Sequence, residues 1–427
     1  MAFFPKLNNK LFYANKNEKH LFLNPSLPDW IVVNENGAVV LTLCDGTRSD
    51  GDVERAAAKL GGLTRNEVST FLARAAEHGI MEHEQVTHVA SPNCDNDELP
   101  LRTVHFKLTN RCNFQCLYCY AESGKSLVNP LPFAEIKRVV DEALDLSSSV
   151  VFELSGGEPM LHPDFFAIAE YISTRTKNSI LLTNGSLVSN KNAKRIVTSF
   201  QLIKISLDGS TDEINAVTRG KRTFKKVKRA IKLLRHEGAN VMVSMTVNKA
   251  NIDDIPKMVS EFGNILTFAP MFQAGRGKGN DLYITGEEYY HALANVTGVN
   301  PLSSLNETLA HGRRKRVTRC AMASSEISIA DDGSVYPCQL LHEPEFCAGN
   351  VRSQSLQEIY GSERFRELRQ VNIFSIAECR ECPIRYLCAG ACRARSYFEC
   401  GSIHVSGGFC AYEKLAYVNG LLDAAAI

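Results

Sequence analysis

The segment Leu-Thr-Asn-Arg-Cys-Asn-Phe-Gln-Cys-Leu-Tyr-Cys-Tyr, from Leu108 to Tyr120, decides how this chain is built. Its cysteines, Cys112, Cys116 and Cys119, are separated by three residues and then by two, on a predicted loop that leaves a β-strand. Three thiolates on one short loop can hold three irons of a cubic [4Fe–4S] cluster and leave the fourth iron free for another ligand. A zinc site is the alternative, but zinc takes four ligands, usually in paired CxxC units, and no fourth cysteine is nearby.

The composition of the 427 residues limits the class of protein. A net charge of +1 gives no electrostatic footprint for nucleic acid or for an anionic membrane. No run of 18 apolar residues and no secretion signal is found, so we expect a cytoplasmic protein without a membrane span. Of the 14 cysteines, three lie at 112–119 and nine between Cys320 and Cys410. Because disulfides are rare in a reducing compartment, this clustering predicts metal binding.

Residues 102–274 alternate between apolar runs of strand length and helical stretches. Six strands are predicted, at Val104–Leu108, Val150–Leu154, Ile180–Thr183, Leu202–Leu207, Val241–Val247 and Ile265–Pro270. Five helices are predicted between them, at Phe133–Leu146, Pro163–Thr174, Lys191–Thr198, Phe224–His236 and Ile252–Phe262. Such alternation is typical of an α/β fold with a parallel sheet. Ligands gather at the carboxyl ends of such strands, and the three-cysteine loop follows the first of them.

A second motif, Ser155-Gly156-Gly157-Glu158-Pro159, follows the second predicted strand. Two glycines let the backbone approach a ligand closely, and the neighbouring oxygens can accept hydrogen bonds from an ammonium group. A plain turn would also explain the glycines. One βα unit after the cysteine loop, the motif resembles that of radical S-adenosylmethionine (SAM) enzymes, as does the aromatic Tyr118 before the third cysteine. The resemblance implies a partial six-strand (β/α)6 barrel and a SAM-binding [4Fe–4S] cluster on Cys112, Cys116 and Cys119.

The same resemblance implies a set of cofactor-binding residues. These are Tyr118, Gly156, Gly157, Glu158, Pro159, Asn184, Ser206 and Arg219. The hydroxyl of Ser206 and the guanidinium of Arg219 would suit the SAM carboxylate. The alternative is that Asp208 and Gly209 form a turn and that Arg219 is a surface cation. No catalytic acid or base is assigned among Asp208, Tyr118 and Glu153.

Seven cysteines in the last third have a specific spacing, namely Cys320, Cys338, Cys379, Cys382, Cys388, Cys392 and Cys410. This spacing resembles the SPASM extension of radical SAM enzymes, which carries two auxiliary [4Fe–4S] clusters. The resemblance implies one cluster on Cys379, Cys382, Cys388 and Cys410. It implies the other on Cys320, Cys338 and Cys392, with a fourth position that is open or filled by an extra residue. Cys347 is the candidate for that position and Cys400 a weaker one. A zinc ribbon would fit the CxxC pair but would leave the SAM motifs unexplained.

Residues 1–85 are predicted to form a winged-helix-like α+β domain. Trp30–Val33 and Ala38–Leu43 have strand composition, and Asn34–Gly37 between them is a hairpin signal. Helices are expected from about Ser49 and from Thr64. DNA binding is the usual function of this outline, but neither helix has the basic exposed face that it requires.

The N-terminal arrangement resembles the precursor-peptide recognition element of ribosomal-peptide maturation systems. In that family a leader peptide adds as a strand to an exposed sheet edge. A purely structural N-terminal cap is the alternative. The rest of the division places a linker at 86–101, the barrel at 102–274, a bridging region at 275–314 and the auxiliary-cluster domain with a C-terminal helix at 315–427.

The predicted function is a radical SAM maturase of a ribosomally made precursor peptide. A 5′-deoxyadenosyl radical would abstract hydrogen, and a thioether or carbon–carbon cross-link would form, with ferredoxin or flavodoxin as electron donor. Sulfatase-maturing relatives carry an aspartate where this chain has Gln339, so formylglycine formation is not expected. A radical SAM/SPASM enzyme acting on a small molecule, such as a tetrapyrrole or an alcohol, is the alternative. An iron–sulfur regulator that binds DNA is a third, which the near-neutral charge disfavours.

Overall fold

The computed structural model describes residues 4–27, 29–61, 63–82, 100–126, 128–297, 299 and 317–423. The predicted linker at 86–101 lies outside these residues apart from its last two. The predicted bridging region at 275–314 is described to residue 297 and at 299. Within the described ranges, no helix has the length and apolar content that crossing a membrane requires.

The N-terminal part is a small antiparallel sheet with three helices on one face. Its strands are β1 (Phe12–Lys16), β2 (Lys19–Asn24) and β3 (Asp29–Val33), paired in that order. Its helices are α1 (Glu35–Thr42), α2 (Asp50–Gly61) and α3 (Arg65–Glu77). The helix predicted from Thr64 is confirmed, and it begins with a capping box in which Thr64 and Glu67 exchange side-chain and backbone hydrogen bonds.

The predicted hairpin at Asn34–Gly37 is wrong, because the chain enters α1 directly after β3. The Asn34 side chain accepts a hydrogen bond from the Gly37 N–H at 3.0 Å, which is the geometry of a helix N-cap. The run Ala38–Leu43, predicted as a strand, therefore lies in α1 as far as Thr42. Ala38 and Leu41 are buried against the other helices, so packing of one helical face outweighs the β-propensity of the run. The sequence prediction also lacks β1 and β2.

A sheet of nine strands forms the centre of the structure. Its strands are β4 (Thr103–Lys107), β5 (Val151–Ser155), β6 (Ser179–Thr183), β7 (Leu202–Ser206), β8 (Val241–Val247), β9 (Leu266–Pro270), β10 (Glu326–Ile329), β11 (Ser334–Tyr336) and β12 (Gly349–Asn350). Strands β4 to β9 are parallel and lie in chain order, which confirms the six predicted strands. The cysteine-rich region extends the sheet, since β10 pairs in parallel with β4 and carries β11 and β12 antiparallel beyond it.

The helices of this region cover one face of the sheet. They are α4 (Phe133–Leu146), α5 (Phe165–Arg175), α6 (Ala193–Ser199), α7 (Asp212–Arg219), α8 (Phe224–His236) and α9 (Ile255–Phe262). All but α7 are in the sequence prediction. Alternate strand residues such as Val104, Phe152 and Ile203 are fully buried under these helices. The residues between them form a polar face, which we define as His105, Glu153, Lys204, Ser244, Glu326 and Ser328.

Seven further helices are described, of which one follows the central sheet strands and six lie in the last third of the chain. They are α10 (Gly286–Ala294), α11 (Leu356–Tyr360), α12 (Glu363–Arg369), α13 (Ala377–Arg380), α14 (Arg385–Cys388), α15 (Arg393–Cys400) and α16 (Cys410–Asp423). Helix α16 covers the second face of the N-terminal sheet. Leu21, Leu23 and Val32 of that face share one apolar cluster with Leu421 and Leu422.

Candidate active site and metal centres

The three-cysteine loop follows β4 and is fixed to three other parts of the chain. The Arg276 side chain donates from Nε to the Cys116 carbonyl and from Nη1 to the Ser123 carbonyl, both at 2.9 Å. The backbone N–H of Leu117 donates to the Thr218 carbonyl in α7 at 2.9 Å. A Cβ on Gly275 would lie 2.6 Å from the Cys119 carbonyl oxygen, so only glycine allows this approach. The loop is therefore positioned through its backbone, which leaves its three thiols available.

The thiols of the loop form no disulfide. Burial raises the pKa of Cys112 to about 11 and also raises the pKa of Cys116. The negative charges of Glu158, Cys116 and Cys119 raise the Cys112 pKa further. Metal binding to such a set must displace protons, because only thiolates are ligands.

The glycine motif docks onto the start of the loop by backbone hydrogen bonds. Gly157 N–H donates to the Thr109 carbonyl at 2.7 Å, and Glu158 N–H donates to the Arg111 carbonyl at 2.9 Å. A Cβ on Gly157 would lie 2.3 Å from the Arg111 carbonyl oxygen and 2.9 Å from the Cys112 Cβ. These glycines therefore let the end of β5 contact the loop directly. Pro159 begins a short 3-10 turn after them.

The Glu158 carboxylate is fully buried and joins the ends of β5 and β6. It accepts hydrogen bonds from the Thr183 hydroxyl at 2.8 Å and from the Asn184 N–H at 2.9 Å. Burial raises its pKa to about 7. Asn184 continues the link, because its Nδ2 donates to Asn113 Oδ1 at 2.9 Å within the cysteine loop. Both carboxylate oxygens of Glu158 thus accept hydrogen bonds from this chain. The residue therefore connects the glycine motif to the end of β6.

Tyr118 and Arg219 converge on Asp208, a residue that the sequence left as a turn or as one unassigned candidate. The Tyr118 hydroxyl donates to Asp208 Oδ2 at 2.5 Å, and Arg219 Nε lies 2.9 Å from the same oxygen. Thr218 and the backbone of Thr246 donate to the carboxylate as well. Arg219 is 7% exposed and so is a buried ion-pair partner rather than a surface cation. Ser206, at the end of β7, is partly buried.

The thiols of the last third fall into two sets. Besides burial, the charges that raise the pKa of Cys338 are those of Glu326, Cys320 and Cys392. The charges that raise the pKa of Cys388 include those of Cys410 and Cys382. Cys379 completes the second set, since Cys382 and Cys410 raise its pKa. These charge interactions group the cysteines in the way that the resemblance implies, and the assignment of the two groups to two clusters stays a prediction.

The two extra cysteines lie elsewhere. The Cys347 sulfur lies 3.5 Å from the Gly349 carbonyl oxygen, and its charge raises the pKa of Tyr336. Cys347 is not among the charged neighbours of Cys320, Cys338 or Cys392. Cys400 is exposed at the end of α15.

A buried arginine lies between the two sets. Arg393 donates from Nη1 to the carbonyl oxygens of Ile403 at 3.0 Å and Val405 at 2.8 Å. Its positive charge lowers the pKa of Cys320 in one set and of Cys379 in the other. Both sets therefore share one fixed cation.

Tyr120 connects the cysteine loop with the first of these sets. Although Tyr120 is 37% exposed, the protein around its hydroxyl raises the pKa of that group, and the charges of Cys119, Cys338, Glu153 and Glu326 raise it further. The polar face of the sheet thus lies between the loop and Cys338, and this space is the candidate reaction chamber.

Comparison with known proteins identifies the family. A model of the radical SAM superfamily matches residues 106–262, and a model described as the SPASM iron–sulfur cluster-binding domain matches residues 320–383. The chain contains a radical SAM domain and a SPASM domain. A radical SAM domain implies a [4Fe–4S] cluster with SAM, and a SPASM domain implies auxiliary iron–sulfur clusters. The free thiols described above fit iron–sulfur clusters, and the glycine motif packs directly against the loop that carries three of them.

Several curated proteins are similar to this radical SAM protein. Mycofactocin maturase MftC of Mycobacterium tuberculosis (strain CDC 1551 / Oshkosh) is 28% identical over 69% of this chain and 78% of its own length. The antilisterial bacteriocin subtilosin biosynthesis protein AlbA of Bacillus subtilis (strain 168) is 28% identical over 68% of this chain and 67% of its own length. An AdoMet-dependent heme synthase of Methanosarcina barkeri (strain Fusaro / DSM 804) is 27% identical over 73% of this chain and 96% of its own length.

Two solved structures share the fold. Native anSMEcpe with bound AdoMet superposes with a TM-score of 0.63 at 22% identity and covers 76% of this chain and 100% of its own. Streptococcus suis SuiB bound to S-adenosylmethionine superposes with a TM-score of 0.59 at 14% identity and covers 94% and 98%.

Sequence reasoning missed three residues of this radical SAM site. Arg276 lies 160 residues from the carbonyl that it binds, in a segment predicted only as part of the bridging region. Asp208 was visible as a strand-end carboxylate, but its position between Tyr118 and Arg219 depends on α7, which was not predicted. Glu326 has a periodicity signal as the first residue of β10, yet no motif marked it.

Proposed function

We propose that this protein is a peptide-modifying radical SAM maturase. It abstracts hydrogen from a residue of a ribosomally made precursor peptide and forms a thioether or carbon–carbon cross-link. The observation that carries the proposal is the N-terminal module, whose three helices cover one face of its three-stranded sheet while the C-terminal helix α16 covers the other. The similarity to SuiB supports it, because that fold match includes this module and a further SuiB structure is bound to the precursor peptide SuiA.

The N-terminal module has two strands that a peptide could extend. In the order β1-β2-β3, each outer strand has one edge without a strand partner among the described residues. Backbone pairing along such an edge binds an extended leader with little demand on its sequence. In the proposed division, residues 1–85 hold the leader, 102–274 hold SAM, and 315–427 hold the auxiliary clusters, with 86–101 and 275–314 as connections.

The cluster and SAM, when bound, supply a 5′-deoxyadenosyl radical for hydrogen abstraction. The chain's residues hold these groups and exclude water. Cys112, Cys116 and Cys119 are the proposed cluster ligands, and the Gly156–Gly157 backbone leaves room for the methionyl end of SAM. Arg219, whose charge is already balanced by Asp208, is proposed to add a hydrogen bond to the SAM carboxylate.

Cross-link formation removes two hydrogens from the peptide. One leaves as a hydrogen atom to the adenosyl carbon, and the other leaves as a proton and an electron. We propose that Cys320, Cys338 and Cys392 or the four-cysteine set would hold an auxiliary cluster able to accept that electron, and that a ferredoxin or flavodoxin would be the external reductant.

A small-molecule substrate is the second candidate, and one observation favours it. The heme synthase relative is covered over 96% of its own length by a match to 73% of this chain. The part of this chain outside that match therefore has no counterpart in the heme synthase.

The test uses the full chain, reconstituted without oxygen, with SAM and a strong reductant. Candidate precursor peptides are supplied whole or without their leader, and a tetrapyrrole is supplied in parallel. We expect formation of 5′-deoxyadenosine to rise only with the whole peptide, together with a product lighter by two hydrogens. Turnover of the tetrapyrrole, with no response to any peptide, would replace this proposal by the second candidate.

A further inference from the structure

We propose that the Glu326 carboxylate is the fourth ligand of the auxiliary cluster on Cys320, Cys338 and Cys392. A SPASM domain carries auxiliary clusters, and the thiols of this chain divide into one set of four and one set of three. The set of three is one donor short of the four that a [4Fe–4S] cluster uses.

Glu326 is connected to both flanks of the ligand set by hydrogen bonds. Its backbone N–H donates to the carbonyl of Ala321, next to Cys320, at 3.0 Å. Its Oε1 accepts from the N–H of Gln339, next to Cys338, at 3.4 Å. The backbone of Glu326 is thus tied to the residue that follows Cys320, and its carboxylate to the residue that follows Cys338. Strand β10 fixes the residue further, because Glu326 pairs with Thr103 at its start.

Electrostatic proximity gives the same assignment. Glu326 is the first charged neighbour of Cys338 and also of Cys320. Cys347, the candidate from the sequence, is not among the charged neighbours of any thiol in this set, and its sulfur lies beside Gly349. Among the residues that can ligate iron, Glu326 is therefore better placed than Cys347.

No positively charged side chain of the described residues forms an ion pair with Glu326. Within the described ranges no lysine, arginine or histidine lies close enough for an ion pair with it, and the 3.4 Å contact to Gln339 is a long hydrogen bond. A partly buried carboxylate without a counter-charge is unfavourable, and an iron ion would provide that charge. An oxygen ligand also binds iron less tightly than a thiolate, so this iron would exchange its ligand more readily than the others.

The test isolates the auxiliary clusters in the full chain by replacing Cys112, Cys116 and Cys119 with alanine. This parent variant is compared with four derivatives, which add Glu326→Ala, Glu326→Cys, Cys347→Ala or Glu153→Gln. Glu153→Gln is the matched control, because that carboxylate lies on the same polar face but not beside the thiols. Iron content, the reduction potential of each cluster and the binding of ¹³C-cyanide by electron–nuclear double resonance are measured.

We expect about eight irons in the parent, two cubes' worth, and no strongly coupled cyanide. Glu326→Ala should bind one cyanide or lose one iron to give a three-iron signal. Glu326→Cys should keep eight irons and lower one reduction potential, because a thiolate donates more charge than a carboxylate. Glu153→Gln and Cys347→Ala should match the parent.

Three results would overturn the assignment. Cyanide bound to the parent itself would show an open iron. Cyanide binding or iron loss in Cys347→Ala would show that Cys347 is the ligand. If Glu326→Ala loses both clusters through misfolding, Glu326→Cys still decides, since a potential equal to that of the parent would exclude Glu326 as a ligand.

Discussion

The three-cysteine loop and the four-cysteine set of Cys379, Cys382, Cys388 and Cys410 hold their thiols in different ways. The loop is positioned by contacts to its backbone from β5, from α7 and from Arg276, and its thiols form no disulfide. The four-cysteine set lies at helix ends under the N-terminal sheet, with a fixed arginine beside it. A cluster held by three thiolates has one iron free for ligand exchange, whereas a set of four thiolates leaves no iron free and suits electron storage. The predictions below test this division.

Gly157→Ala should cause the largest effect and should act on the loop alone. The added methyl group would lie 2.3 Å from the Arg111 carbonyl oxygen and 2.9 Å from the Cys112 Cβ, so the loop must move. We expect SAM cleavage to fall by about a hundredfold or more, since small misplacements of reacting groups have such effects. Iron analysis should show loss of the loop cluster, with the auxiliary clusters retained.

The matched control is Gly124→Ala, because a Cβ there meets nothing within 4 Å. Normal activity of Gly157→Ala, or equal loss in both variants, would show that the close approach of the glycine motif does not position the loop.

Glu158 should make the stability of the metal-free protein depend on pH. Its pKa is raised by burial from 4.5 to about 7, so the folded state binds the proton more tightly than the unfolded state. The resulting stabilisation is complete below about pH 4.5 and is lost as the pH rises through 7. We expect Glu158→Gln to reduce the fall in the free energy of unfolding between pH 5 and pH 8 by about 2 kcal/mol.

Chemical denaturation at the two pH values measures this difference. Glu122→Gln, an exposed carboxylate on the cysteine loop, serves as the control and should keep the wild-type slope. An unchanged slope in Glu158→Gln would mean that the buried carboxylate titrates as it does in the unfolded chain.

Arg276→Ala should make the three-cysteine loop less well positioned without preventing it from binding its cluster. The variant loses two hydrogen bonds to loop carbonyls, each at 2.9 Å, and keeps the backbone bonds from β5. We expect SAM cleavage to fall by about tenfold, corresponding to one or two hydrogen bonds. Lys278→Ala, an exposed neighbour, should retain full activity, and a comparable loss there would assign the effect to the segment rather than to the guanidinium.

Arg393→Met should alter the C-terminal sets and spare the loop. Removing a buried positive charge disfavours the added electron, so the auxiliary reduction potentials should fall by a few tens of millivolts, against 59 mV for a tenfold change in a one-electron couple. Arg393→Lys retains the charge and should recover most of that fall. A shift in the potential of the loop cluster instead would contradict the separation of the two regions.

The central sheet was predictable because each strand and each helix carries its own periodic signal. Val241–Val247 alternates between buried and partly buried residues, and Phe224–His236 presents one apolar stripe, so both bounds agree with the sequence. The three cysteines of the loop stand out as a metal-binding motif because their spacing is local, whereas the division of the seven later cysteines, which span Cys320 to Cys410, follows from the resemblance and stays a prediction.

The errors have physical causes that no local window contains. Asn34 and Gly37 satisfy the chemistry of a hairpin and equally that of a helix start, and burial of Ala38 and Leu41 decides between them. The ion pair of Asp208 and Arg219 depends on the placement of α7 against the loop. Contacts of this kind join distant segments, and propensity does not encode them.

The cover over the N-terminal sheet has a consequence for the order of events during synthesis. Lys16 in β1 pairs with Asp423 in α16 across 407 residues, and Leu21, Leu23 and Val32 pack with the same helix. The ribosome synthesises this apolar face long before it synthesises helix α16. The nascent chain therefore exposes an aggregation-prone apolar surface through most of translation. Cys410 begins the covering helix, so completion of the four-cysteine set and protection of that surface fall at the same late stage.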